Sequence, residues 1–197
     1  VNYFAQENEP RYETPSFRRS NAFLATKREV ESVRSSVGIN ELHNFGKFRI
    51  SGTNARTWLN HIMAGTVPTL NRLALNPMLS HKGKIIGDFT VTCTGENEFQ
   101  LTASYGSQNF HLRWLLLNQW NNVKIENVSD KLTGFQVAGP NSRVLLQKIT
   151  SFNINDLKFR DAFAIKISDI PCFIQRVTYT ADLGYEIYCE PKHQIEL

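Results

Sequence analysis

Apolar and polar residues alternate along Ile85-Ile-Gly-Asp-Phe-Thr-Val-Thr-Cys93, the pattern of a half-buried strand. Ile85, Gly87, Phe89, Val91 and Cys93 fall on one face, and Ile86, Asp88, Thr90 and Thr92 on the other. Met78-Leu-Ser80 precedes it, and His81-Lys-Gly-Lys84 between them reads as a turn in which Gly83 supplies a positive φ. The stretch 78–92 is therefore predicted to be a hairpin, and the chain is organised around it. Asp88 is out of place there. Aspartate is depleted in strands, and a buried carboxylate must find donors or a proton. Gly87 beside it predicts a close approach by a ligand or by another piece of backbone. Pattern alone leaves Asp88 as either a surface carboxylate on an edge strand or a carboxylate set into a site.

The rest of the chain follows the same two periods. Residues 1–25 show none; Pro10 and Pro15 punctuate them, and they are expected to form an extended arm anchored by Tyr3, Phe4, Tyr12 and Phe17. Thr26-Lys-Arg-Glu29 has the form of a capping box, followed by Val30, Val33 and Val37 on one helix face and Gly38 as the stop. Phe45–Gly52 reads as a strand. Thr53 or Asn54 then caps a helix whose buried stripe is Ala55, Trp58, Leu59, Ile62 and Met63. Glu98–Ala103 is the next strand. A helix is expected over 107–120 with Phe110, Trp114 and Leu117 inward, widened by Leu112, Leu115 and Leu116. Strands follow at 122–128 and 134–138. Pro140 opens a helix to about Ile149, and strands recur at 163–167, 172–179 and 185–189. Antiparallel runs interrupted by packed helices make the fold α+β, with the arm over 1–25 and one domain over 26–197.

Composition narrows the function by exclusion. The chain has 197 residues, 41% apolar and 20% charged, which is ordinary for a folded domain. No run of 18 apolar residues exists, so no membrane span is expected. The net charge of +4 is spread without a basic stripe, so nucleic acid is not the expected partner; it suits a small anionic ligand. Cys93, Cys172 and Cys189 lack paired spacing and read as reduced thiols of a cytoplasmic or matrix-like compartment. Asn127-Val-Ser129 matches a glycosylation acceptor but follows no export signal. The first residues, polar and without Met, have the look of a cut within a longer sequence.

Among chemical motifs, the five histidines are dispersed, and no HxxxH, CxxC or HxH occurs, so no metal site is expected. His61 reads as a helix-surface residue. There is no Gly-x-Ser-x-Gly and no Gly-x-Gly-x-x-Gly, so neither that nucleophile nor FAD or NAD bound in the usual way is expected. Two carboxylates in apolar strands remain, Asp88 and Glu186. Glu186 shares a face with Tyr188, and Ile187 opposes them. A fixed carboxylate can accept two parallel N–H bonds from an amino-pyrimidinone edge. The pattern equally allows an edge-strand glutamate paired with a lysine.

Thr14-Pro-Ser-Phe-Arg-Arg-Ser-Asn21, Val37-Gly-Ile39, Phe45-Gly-Lys-Phe48, Met78-Leu-Ser-His-Lys-Gly83, Leu112-Arg-Trp114, Ala138-Gly-Pro140, Ser168-Asp-Ile-Pro171 and Tyr179-Thr-x-x-Leu-Gly-Tyr-Glu186 stand in order along the chain. Together they resemble the folate-binding domain shared by dimethylglycine dehydrogenase, sarcosine dehydrogenase and the glycine-cleavage T-protein, an aminomethyltransferase. The resemblance covers nearly the whole chain. It implies an aminomethyltransferase-type α+β folate-binding domain that uses tetrahydrofolate. The family's acid matches Asp88, and the pterin-contacting stretch after it matches Phe89 and Thr90. Its pterin-side tyrosine matches Tyr179, its pterin-reading glutamate matches Glu186, and Ile187 and Tyr188 adjoin. Where the family has Tyr-Thr-Gly-Glu, this chain has Tyr179-Thr-Ala-Asp182, and alanine lacks glycine's freedom at that turn. Glu41 stands where relatives often carry Asp, with no role attached.

The resemblance further implies capture of a one-carbon unit from an N-methyl or aminomethyl amine as 5,10-methylenetetrahydrofolate, with Asp88 near the reacting edge. The alternative is a folate-binding module of the same fold without catalysis. Relatives carry an FAD amine-oxidising domain before this region and more sheet and a barrel after it. A domain incomplete at its C-terminus is therefore expected, with folate, a small amine and an FAD-containing dehydrogenase domain as partners. The implied compartment is the cytoplasm, or the mitochondrial matrix in a eukaryote.

Overall fold

The structure is a computed structural model and describes residues 3–197. In chain order the elements are α1 (Phe23–Ser35), β1 (Gly38–Glu41), β2 (Phe45–Ser51), α2 (Ala55–Ile62), β3 (Leu73–Leu79), β4 (Ile85–Gly95), β5 (Glu98–Ser104), α3 (Gln108–Leu117), β6 (Lys124–Asn127), β7 (Thr133–Ala138), α4 (Ser142–Gln147), β8 (Ala162–Ile167), β9 (Ile170–Gln175) and β10 (Gly184–Cys189). They build two five-stranded antiparallel sheets, in the orders β3-β4-β5-β2-β6 and β1-β7-β10-β9-β8. The α+β expectation holds.

Each sheet buries one face under helices. The first core gathers Phe48, Ile50, Phe89, Val91, Phe99 and Leu101 from the strands with Trp58 and Leu59 of α2 and Leu115 of α3. The i, i+3, i+4, i+7 stripe of α2 is buried as its spacing requires. The second core joins Ile174, Tyr185, Ile187 and Cys189 to Leu146 of α4. The opposite, more polar faces meet at a seam. There Thr92 of β4 donates to the Gln175 side chain of β9 and Arg72 pairs with Asp161. Buried polar groups at such a seam are tolerable only when hydrogen-bonded, and Thr92 and Gln175 satisfy each other.

Several local expectations change. The helix α1 starts at Phe23, so Thr26 lies inside it and caps nothing. Glu29 instead accepts the Phe4 N–H at 2.6 Å. Tyr3 is buried with Ala22 and Ala25, whereas Phe4, Tyr12 and Phe17 are exposed. The arm is fastened by Tyr3 and by a two-pronged Arg28–Glu9 pair at 2.7 and 2.9 Å, with Arg28 holding the Glu9 carboxyl down at about 2. Pro140 lies just before the cap of α4, Asn141, rather than in its first turn. The strand expected over 172–179 is β9 and ends at Gln175. In α3 the buried residues are His111 and Leu115, while Phe110 and Leu117 face outward. Six apolar residues among ten obscure the phase of that helix in sequence.

Candidate active site at the seam between the sheets

The hairpin turns at Gly83, whose φ is +70°, with the Gly83 N–H on the Ser80 carbonyl at 2.8 Å. It carries β4 to the mouth of a cavity of about 740 Å³ between the two sheets. Ligand cavities commonly span ~300–1,000 Å³. Strand alternation delivers the lining: Ile86, Asp88 and Thr90 come from β4, and Glu186 and Tyr188 from β10. Phe89, Thr102, His111, Thr178 and Tyr179 complete the walls that matter to the chemistry. Asp88 is exposed and projects into this cavity.

Of the seven residues singled out from sequence, six line one cavity: Asp88, Phe89, Thr90, Tyr179, Glu186 and Tyr188. Ile187 does not. Its side chain points to the opposite face of β10 and is buried in the second core, as the period of two demands. Tyr179 lies beyond the end of β9 in an irregular segment, 86% exposed at the cavity rim.

The Glu186 carboxylate is held from one side. Its Oε2 accepts the Tyr188 hydroxyl at 2.8 Å and the Gln175 amide at 3.3 Å, and no protein donor among the described residues reaches Oε1. Burial pushes the Glu186 carboxyl above the ordinary carboxylate range, and the bonds from Tyr188 and Gln175 pull it back in part. Burial, reinforced by the neighbouring Glu186 charge, raises the Tyr188 phenol well above its ordinary value, so it stays a donor. The ring of Tyr188 lies across Gly134, where an added Cβ would sit 2.7 Å from it. Gln136, beside Glu186 in the β7–β10 register, donates to Thr178 at 2.9 Å and ties down the rim segment.

Two contributors escape sequence reasoning. His111 is buried and packs on Phe89 with ring centroids 4.9 Å apart; its Nε2 would lie 2.5 Å from a Cβ on Gly87. The close approach found at Gly87 is made by a side chain from α3 rather than by another piece of backbone. Gln175 is fully buried and links Thr92 to Glu186; its signal was a polar residue at the inner end of an apolar strand. Ala181, flagged as a departure, adopts φ +63°, so the turn keeps a glycine-like backbone with an alanine in it. Among the described residues, no three His, Cys, Asp or Glu side chains gather as a metal site, and no helix is long and apolar enough to cross a membrane.

Two antiparallel sheets closing on a carboxylate-lined cavity define a domain of the aminomethyltransferase class. The glycine cleavage system aminomethyltransferase T from Bartonella henselae shares the fold with a TM-score of 0.79 over 88% of this chain and 47% of that one, at 18% identity. A heterotetrameric sarcosine oxidase chain from Corynebacterium sp. U-96 gives 0.66 over 91% and 90%, also at 18% identity. The chain belongs to the GCVT N-terminal domain family, whose profile matches residues 1–197. Mitochondrial dimethylglycine dehydrogenase from Rattus norvegicus is 37% identical over 179 residues, covering 88% of this chain and 21% of the relative. The Homo sapiens protein is 35% identical over 188 residues, covering 93% and 22%. An aminomethyltransferase from Caldanaerobacter subterraneus subsp. tengcongensis is 29% identical over 175 residues, covering 86% and 46%. The chain thus spans about a fifth of the dehydrogenases and just under half of the aminomethyltransferase.

Proposed function

We propose that this chain binds tetrahydrofolate in the cavity between its sheets and serves one-carbon transfer from an N-methylated or aminomethyl amine to it, yielding 5,10-methylenetetrahydrofolate. The observation that carries this is Glu186, anchored through Oε2 with Oε1 left free inside a cavity that also holds Asp88. An anchored carboxylate with a free oxygen suits the paired N–H groups of a pterin edge. The folate supplies the nitrogen that takes up the carbon. Glu186 orients the heterocycle; Tyr188 and Gln175 fix Glu186; Phe89 and Thr90 line the wall beside it. Tyr179 sits at the rim, placed to cover the ring. Asp88 holds or moves a proton at the reacting edge, or balances the positive charge that develops there.

The family and the dehydrogenase relatives support a place for this domain, over residues 26–197 with 1–25 as its arm, beside an FAD-containing amine dehydrogenase unit. Flavin chemistry belongs to that unit in this reading. The mitochondrial relatives favour the matrix in a eukaryote.

Asp88→Asn in the whole protein decides between transfer and mere binding. It should leave tetrahydrofolate affinity unchanged and slow transfer by ~10²–10⁴-fold, the usual worth of a positioned acid or base. Unchanged turnover would make the domain a binding module.

A further inference from the structure

Asp88 and Glu186 lie on different sheets, one on β4 and the other on β10. A short chain of side chains joins those strands. Thr92 stands on the same face of β4 as Asp88 and Thr90. Its hydroxyl donates to Gln175 Oε1 across the seam, and Gln175 Nε2 donates to Glu186 Oε2 at 3.3 Å. Gln175 and Glu186 stand opposite each other in the β9–β10 ladder, so their side chains share a face. Thr92 is 1% exposed and Gln175 is fully buried; neither lines the cavity.

The polarity of this chain is set from the Glu186 end. An ionised carboxylate only accepts, so the Gln175 amide turns its N–H towards it. Oε1 then faces the other way, into a place without solvent. A buried carbonyl oxygen needs a donor, and among the described residues only the Thr92 hydroxyl reaches this one. Packing alone would need no hydroxyl there. Valine has the shape of threonine and fills the same space, but it leaves Oε1 unpaired. Only two movements of the amide relieve that. Turning it over sets Oε1 against the carboxylate, and withdrawing it gives up the bond to Oε2. At 3.3 Å that bond is the longer of the two on this oxygen, beyond the usual range, and the easier to lose.

We propose that Thr92 is a positioning residue for Glu186: its hydroxyl sets the orientation of the Gln175 amide and so keeps the second donor on the carboxylate that reads the pterin edge. The strand that carries Asp88 thereby also holds the folate reader, through one side chain of the facing sheet. The inference rests on the reading of Glu186 as the residue that orients tetrahydrofolate.

The test measures tetrahydrofolate affinity of the whole protein by calorimetry. Thr92→Val should weaken binding about five- to tenfold, the net worth of one hydrogen bond. Thr92→Ser keeps the hydroxyl and loses the methyl, and should stay within about twofold of wild type. The pair separates two roles: were Thr92 there only to pack, serine would be the worse variant. Gln175→Met should weaken binding at least as much as Thr92→Val. In that background Thr92→Val should cost nothing further, because both act through one bond. Affinity within about twofold of wild type in the valine variant, a serine variant as weak as the valine one, or an undiminished loss in the Gln175→Met background overturns the proposal. Should Thr92→Val fail to fold, Thr92→Cys takes its place. Its thiol is a weak donor, so binding should fall by about threefold or more, and affinity equal to that of the serine variant refutes the role of the hydroxyl. Crystal structures of the ligand-free variants give a readout that involves no folate. The Gln175 amide should lie out of hydrogen-bond reach of Glu186 in Thr92→Val and within it in Thr92→Ser. If Glu186→Gln leaves tetrahydrofolate affinity unchanged, the functional reading of Glu186 falls, and these structures still decide whether Thr92 holds the amide; an unmoved Gln175 in the valine variant refutes it.

Discussion

Tyr188 donates its hydroxyl to Glu186 Oε2 at 2.8 Å from two residues along the same strand. Alternation puts both side chains on the cavity face of β10, and the packing of the Tyr188 ring across Gly134 sets where the hydroxyl ends. With Gln175 on the same oxygen, the carboxylate is oriented before any ligand arrives. Little ordering remains to be done on binding, which favours affinity.

Glu186→Gln should weaken tetrahydrofolate binding. The amide presents one donor and one acceptor where the heterocycle meets two acceptors, and it also disturbs the bonds from Tyr188 and Gln175. Losing a hydrogen bond to a charged group costs ~1.5–3 kcal/mol, or roughly 10- to 100-fold in affinity. Calorimetric titration checks it; an unchanged Kd would reduce Glu186 to a structural residue.

The raised carboxyl of Glu186 predicts a pH dependence. Binding through two acceptors needs the ionised form, so affinity should be flat at neutral pH. It should fall as pH drops through a value above the ordinary 4.5. Stability moves the other way for this group. Its folded-state pKa exceeds the unfolded one, so ionisation costs the folded state, and acidification through that pKa relieves the cost. Tyr188→Phe removes a bond that lowers the Glu186 pKa. The acid limb of the binding profile should therefore shift to higher pH in that variant. Titrations at several pH values read this directly, and an acid limb that stays in place would mean the Tyr188 bond does not tune the carboxylate.

Much of this was legible because strands announce themselves by a period of two. The split of β4 into Phe89/Val91/Cys93 and Asp88/Thr90 faces, and of β10 into Glu186/Tyr188 and Ile187, follows from spacing alone and survives in three dimensions. The stripe of α2 was equally clear, since its polar residues interrupt the apolar ones in phase. The face of α3 was not, because an apolar residue stood at almost every phase and a histidine took the buried position. Nor could sequence show that β5 stops short of the outer half of β4, which brings His111 against Gly87. Register across strands is a tertiary property. The aromatic residues of the arm misled for a related reason: apolar character licenses burial without requiring it, and of the four only Tyr3 is covered.

Ala181→Gly should stabilise the domain. Ala181 holds φ +63°, a region that costs a residue with a Cβ roughly 1–2 kcal/mol and glycine almost nothing. Against that gain stands the greater freedom of glycine in the unfolded chain, worth ~0.4–1 kcal/mol where a backbone suits both residues. The strain exceeds that penalty, so a net gain of about 0.5–1 kcal/mol is expected, visible as a higher midpoint in urea at unchanged slope. The position also matters to the site. It lies in the rim segment fastened by the bond from Gln136 to Thr178 and by the contact of the Thr178 and Thr180 hydroxyls at 2.9 Å. Because the turn already holds the glycine-like conformation, relieving its strain should not move Tyr179, and tetrahydrofolate affinity should stay within about twofold of wild type. A destabilised variant would mean that the alanine methyl makes packing contacts worth more than the strain it incurs.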